Sequence, residues 1–188
     1  MKKIILCEGP SDEAILKTLI KVNGLDIAVA AYDGKDNLEN FVETLQGSPD
    51  YRKIETLAVT RDADENEKDA FKSVRGLLKR MGFANLPEES GRFSGETPRA
   101  GIFVVGRDGR GSIDDICLGS VKGRPGFSCV DEYFRCVNRS EPGAKARVWV
   151  WLLSHPDFPF SLRKGGKEAY WNWDHPAFGP LTEFLRAM

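Results

Sequence analysis

The sequence predicts an α/β protein: a four-stranded, mainly parallel sheet flanked by helices, with a helical C-terminal part. Three observations carry this. Short apolar runs bounded by turn residues recur at residues 4–7, 27–32, 54–60 and 102–105, as buried strands do. The segments between the first three runs carry apolar residues at helical spacing, so the order is β-α-β-α-β-α, which means parallel strands and right-handed crossovers. Beyond about Leu118 the apolar pattern is mostly helical. A chain of 188 residues, 41% apolar and 29% charged, is large enough for one globular unit. Residues 1–118 read as the α/β core, and residues 119–188 as a helical extension packed on it, forming a single domain overall.

The first strand ends in Glu8, and Gly9-Pro10-Ser11 turns into a helix. Ser11 is its expected N-cap, Asp12 and Glu13 suit the helix dipole, and Ile15, Leu16, Leu19 and Ile20 form one face. Asn23-Gly24 stops it. The strand at residues 27–32 breaks at Asp33-Gly34-Lys35-Asp36, and Leu38, Phe41, Val42 and Leu45 mark the second helix. The third strand, residues 54–60, runs into Asp62 and Asp64, and a long helix follows from about Glu65 to Met81. Residues 85–101, polar and rich in Gly, Pro and Glu, read as a loop. Residues 102–105 form the fourth strand. A Gly- and Arg-rich loop then leads to Ser112, which caps a helix with Asp114 and Asp115 in its first turn. Val130, Tyr133, Phe134 and Val137 share a helical face. Residues 146–153 (ARVWVWLL) are apolar throughout and read as buried, helix or strand. Phe178, Leu181, Phe184 and Leu185 mark a last helix.

The acids carry the chemistry. Glu8 lies at the carboxyl end of a buried strand, where open α/β sheets bind ligands. Asp12 is one turn into the following helix. If strands one and three are neighbours, Asp62 and Asp64 join them. Two residues apart in an extended segment, those two point to the same side. Each acid taken singly also reads as a cap or turn residue. Together, such carboxylates repel, and a hard divalent cation with oxygen ligands resolves the repulsion. One such ion, or two about 4 Å apart, fits the pattern.

A net charge of −1 excludes bulk electrostatics as a grip on nucleic acid, so any such surface is a local patch. Cys7, Cys117, Cys129 and Cys136 form no Cys-x-x-Cys pair, which argues against zinc. The N-terminal apolar run is too short for a signal peptide, and no stretch approaches the ~20 residues of a membrane span. A cytoplasmic protein with reduced thiols is the expectation.

The pair Cys-Glu-Gly-Pro-Ser-Asp-Glu (7–13) and Arg-Asp-Ala-Asp (61–64) resembles the Toprim domain of topoisomerases, primases and the overcoming-lysogenization-defect (OLD) nucleases. That domain has a Glu after the first strand of a Rossmann-like sheet and an Asp-x-Asp after the third. The Glu-Gly-x-x-Asp-Glu form is most similar to the OLD branch. Asp33-Gly34-Lys35 resembles its Gly-Lys turn. Gly111-Ser112-Ile113-Asp114-Asp115 resembles its Gly-x-Leu-Glu-Asp segment, with Asp114 where Glu is usual. The features match small stand-alone Toprim proteins, over about residues 2–118. The resemblance implies Mg²⁺ or Mn²⁺ held by Glu8, Asp12, Asp62 and Asp64, with Asp114 and Asp115 as further ligands. It implies phosphodiester chemistry on nucleic acid, with Glu8, Asp62 and Asp64 in the catalytic set. It also implies an assisting lysine from the helical part. Lys145 matches best, with Lys35, Lys164 and Lys167 as rivals.

Lys35, Arg107, Arg110, Lys122 and Arg124 are candidates for holding phosphates. Trp149, Trp151, Trp171 and Trp173 could each stack bases; Trp149 and Trp151 read rather as core, while Trp171 and Trp173 either stack bases or pack the last helix. His155 and His175, each before a proline, read as loop residues. A dinucleotide-binding turn would need G-x-G-x-x-G, which is absent. A receiver domain would place its acid pair after strand one, and a haloacid-type phosphatase its Asp-x-Asp there. Two functions stand: a metal-dependent nuclease, or a non-catalytic Toprim-like module binding nucleic acid or a separately encoded ATPase. The chain has no G-x-x-x-x-G-K-[ST] loop of its own. A homodimer is a further candidate assembly, and no membrane partner is expected.

Overall fold

The structure is a computed structural model that describes residues 2–106, 108–157, 161–166 and 170–188. The candidate residues Arg107 and Lys167 lie outside the described residues. Five strands, β1 (Lys2–Cys7), β2 (Ala28–Ala31), β3 (Ile54–Asp62), β4 (Arg92–Ser94) and β5 (Arg99–Val105), form one sheet in the order β2-β1-β3-β5-β4. All pairings are parallel except β4 on β5. The expected four strands thus become five. The extra one lies inside the segment read as a loop, and β5 starts at Arg99 rather than Ile102. The reason is local: β4 is a three-residue edge strand, and Phe93 lies across Gly101, so neither shows an apolar run.

Alternating side chains divide the sheet between two cores. Ile4, Leu6, Leu57 and Val59 face α2 (Leu38–Gln46) and α3 (Glu67–Arg80), through Leu38, Val42, Val74 and Leu78. Ile5, Cys7, Ala58 and Phe103 face the other way. That side is covered by α1 (Pro10–Val22) and by the C-terminal helices α4 (Ile113–Val121), α5 (Phe127–Cys136), α6 (Ala144–Leu153), α7 (Leu162–Gly165) and α8 (Gly179–Arg186). Phe184 of α8 stacks on Phe93 with ring centroids 4.5 Å apart and tilts on Phe103 at 5.2 Å.

Several boundaries and faces differ from expectation. α1 begins at Pro10 with Gly9 as its cap rather than Ser11, and α3 begins at Glu67 behind an Asn66 cap. On α5 only Val130 and Phe134 of the four expected face residues are buried; Tyr133 and Val137 are 51% and 53% exposed. Residues 146–153 are helical and bury only one side. Trp151 and Leu152 are in the core, whereas Trp149 and Leu153 are 50% and 44% exposed. Trp149 is therefore not a core residue. Trp171 is buried and Trp173 tilts on Phe178, so both pack the C-terminal segment. His155 sits edge-on between Trp151 and Tyr170, and His175 Nδ1 accepts from the Ala177 N–H at 3.1 Å. No helix among the described residues is long and apolar enough to cross a membrane.

Candidate functional site

The chain leaves β1 for β2 on one side and returns to β3 on the other. The carboxyl ends of β1 and β3 therefore flank the point where strand order reverses, and α1 and α2 leave on opposite faces. Such a switch point opens a crevice at the strand ends. Glu8 follows the last residue of β1, and Asp62 is the last residue of β3. Asp12 stands in the first turn of α1, and Asp114 in the first turn of α4, which enters behind β5. All four line one open cleft of about 610 Å³, with Lys145 and Trp149 of α6 in its wall. A separate void of about 10 Å³, roughly the size of one water, lies among Glu8, Asp12, Thr60, Arg61 and Asp62.

Backbone N–H groups hold the acids in place. Gly9 N–H donates to Asp12 Oδ2 at 2.8 Å, and Ile113 N–H donates to Asp62 Oδ1 at 3.1 Å. Glu8 Oε2 is buried and has no hydrogen-bond partner among the described residues. Burial is the main cause of a raised pKa at each acid, and their mutual repulsion adds to it. Asp62 is pushed up to about 8, with Asp12, Glu8 and Asp114 nearby; Asp12 rises to about 6, with Glu8 and Asp114 nearby. Glu8 is raised by burial and by Asp64, against the pull of Arg61 and Lys35. Asp114 is raised by burial, against the pull of Lys145.

The other predicted residues fall elsewhere. Asp64 does not continue an extended segment: its φ is 49°, its side chain is exposed, and its backbone bridges to Gly111. The extended geometry expected across Asp62 and Asp64 gives way to a turn at Asp64. Asp64 does not line the cleft, yet its charge is the leading one that raises Glu8. Asp115 turns to its own helix end, where Oδ2 accepts from the Ser112 N–H at 2.8 Å and the Ser112 hydroxyl at 2.9 Å. It is a capping acid, absent from the cleft wall. Lys35 is exposed beside Gly34, which lines the cleft, and acts on Glu8. Arg110 and Lys122 are exposed away from the cleft wall, and Arg124 donates to the Tyr170 carbonyl. The rival Lys164 is in α7 and does not line the cleft, although Ser161 and Leu162 do.

The sequence reading gave one residue of the site, Arg61, no role and read another, Trp149, as core. Arg61 is the cation with the largest effect on Glu8, and its Nη1 donates to Ser73 Oγ at 3.2 Å. Its signal was an arginine at the end of an apolar strand, next to Asp62. Trp149 joins the cleft because its helix leaves that face open.

Among the described residues, no three His, Cys, Asp or Glu side chains stand together as a ready ligand set. The donors nonetheless suit a hard divalent cation. They are all carboxylate oxygens, charged only against their burial and, at Asp12 and Asp62, their repulsion, and one buried oxygen lacks a partner.

Fold and site together define an α/β protein with an acidic cleft at the switch point of a mainly parallel sheet. The chain belongs to the family described as "Protein of unknown function (DUF3226)", whose model matches residues 2–188. No curated protein and no solved structure matches it.

Proposed function

We propose that this cleft carries out divalent-metal-dependent phosphodiester chemistry on nucleic acid, as an OLD-like nuclease of the Toprim kind. The observation that carries the reading is the meeting of Glu8, Asp12, Asp62 and Asp114 in one cleft, with Lys145 acting on Asp114. Glu8, Asp12 and Asp62 would hold Mg²⁺ or Mn²⁺, with Asp114 as the fourth donor and the Asp64 charge acting on Glu8. Such an ion would supply Lewis-acid stabilisation of the phosphate and a more acidic water. Arg61 draws Glu8 toward its charged form against the effect of burial, and the Gly9 and Ile113 N–H groups hold Asp12 and Asp62. Lys145 brings a fixed positive charge for a phosphate oxygen. Asp115 stays with its helix cap and takes no ligand role.

The test is cleavage of single- and double-stranded DNA and RNA with Mg²⁺ or Mn²⁺. Glu8→Gln and Asp62→Asn are expected to lose about 100-fold or more. Equal activity in the variants and the wild type would sink the reading, as would a wild type inert with both ions.

A second reading makes the cleft a non-catalytic module that binds nucleic acid or a separately encoded ATPase. The absence of a ready ligand set among the described residues favours it, as does the placement of Arg110 and Lys122 outside the cleft. Under this reading Asp62→Asn changes binding while no cleavage is seen in any protein.

A further inference from the structure

We infer that Trp149 is a stacking platform for an unpaired base, and that the cleft takes single-stranded rather than duplex nucleic acid. The inference rests on the reading that the cleft handles nucleic acid, and it names the substrate class. Four observations lead to it. Trp149 is half exposed, although α6 buries its other tryptophan, Trp151. No aromatic partner among the described residues is in ring contact with Trp149, whereas the Trp151 ring meets both Phe127 and His155. The exposed ring lies in the wall of the same cleft as Glu8, Asp62 and Asp114. Lys145, one helical turn before Trp149, lines that wall too and acts on Asp114.

The physical argument turns on which chemistry covers such a surface. An exposed indole costs apolar hydration that a flat ligand face relieves. The lysine on the same helix face, about 6 Å away at i−4, suits an anionic group. A nucleotide supplies both a flat base and a phosphate at that separation. In a duplex the faces of the base are already covered by their neighbours and only edges reach a wall. An unpaired strand leaves a face free to stack, whatever the base. Trp149 and Lys145 thus act as positioning residues that set the strand against the carboxylates. The net charge of −1 means that this local pair, rather than the bulk field, supplies the preference.

The test is fluorescence anisotropy with labelled single strands of about 12 nucleotides, DNA and RNA, and with the matching duplexes. Each is measured at low salt with Ca²⁺ and again with a chelator. The wild type is expected to bind a single strand at least about tenfold more tightly than the duplex. Trp149→Ala is expected to lose about tenfold for the single strand and little for the duplex, while Trp149→Phe keeps most of the affinity. Trp149→Ala with the wild-type melting temperature excludes misfolding. The inference is overturned if the single strand does not bind, if the duplex binds equally well, or if Trp149→Ala binds like the wild type. A wild type that cleaves nothing but binds single strands through Trp149 removes the nuclease reading and leaves this inference intact. A wild type that cleaves while Trp149→Ala keeps the same KM and affinity removes only this inference.

Discussion

At the scale of single residues, the site is a set of carboxylates held against their own charge. Asp62 titrates near 8 and Asp12 near 6 when folded, whereas both titrate near 3.9 in an unfolded chain. Between those values the folded metal-free protein keeps protons that the unfolded chain has released. Their contribution to stability is therefore fullest at low pH and falls as pH rises toward 8. Asp62→Asn removes the charge and keeps an oxygen for the Ile113 N–H. In metal-free protein it is expected to raise stability at about pH 8 by on the order of 2 kcal/mol, or a few degrees of Tm, and to add little at about pH 5. Thermal unfolding at both values reads this. Mn²⁺ is expected to raise the wild-type Tm at about pH 8 far more than at about pH 5, because only the ionised acids bind it, and Asp62→Asn abolishes that rise. Lack of any Mn²⁺ response at the higher pH would count against the metal reading whatever the nuclease assay gives.

At the scale of elements, neighbouring acids on one helix have separate tasks. Asp115 closes the capping box of α4 with Ser112, and Asp114, one residue earlier, lines the cleft. Asp115→Ala is expected to cost about 1 kcal/mol of stability and leave the Mn²⁺ shift in Tm unchanged. Asp114→Ala is expected to reduce that shift. Thermal unfolding of the two variants with and without Mn²⁺ separates the roles. The β4–β5 edge offers a packing test. A Cβ on Gly101 would lie 2.2 Å from the Phe93 ring. Gly101→Ala is expected to destabilise by about 1–3 kcal/mol, measured by urea unfolding. Combined with Phe93→Ala, most of that penalty disappears, because the clash and its partner leave together.

At the scale of the whole molecule, the C-terminal helices serve as one wall of the core. Phe178, Leu181, Phe184 and Leu185 belong to the same buried cluster as Ile5, Ala58 and Phe103 of the sheet. A chain cut after Leu118 would bare that apolar sheet face and is expected to aggregate rather than fold, as gel filtration and circular dichroism would show. Phe184→Ala in the full chain is expected to cost about 3–5 kcal/mol. The same helices bring Lys145 and Trp149 over the strand ends, so the wall that completes the core also completes the cleft.

The sequence by itself determined the order of the first three strand–helix pairs, because apolar runs and helical periodicity are written in neighbouring residues. It also determined that Glu8 and Asp62 stand at strand ends, since Glu8 directly follows an apolar run and Asp62 comes two residues after one. The tertiary structure alone decided the rest. β4 is hidden because three residues beside a glycine carry no pattern of their own. Asp64 sits in a turn because its backbone takes a left-handed angle, and no periodicity reports such an angle. Asp114 and Asp115 are adjacent acids in the sequence, and only the helix end tells the cleft acid from the cap. The buried side of α6, and hence the open face of Trp149, was set by what the other helices leave uncovered, a property of the assembled fold rather than of the segment ARVWVWLL.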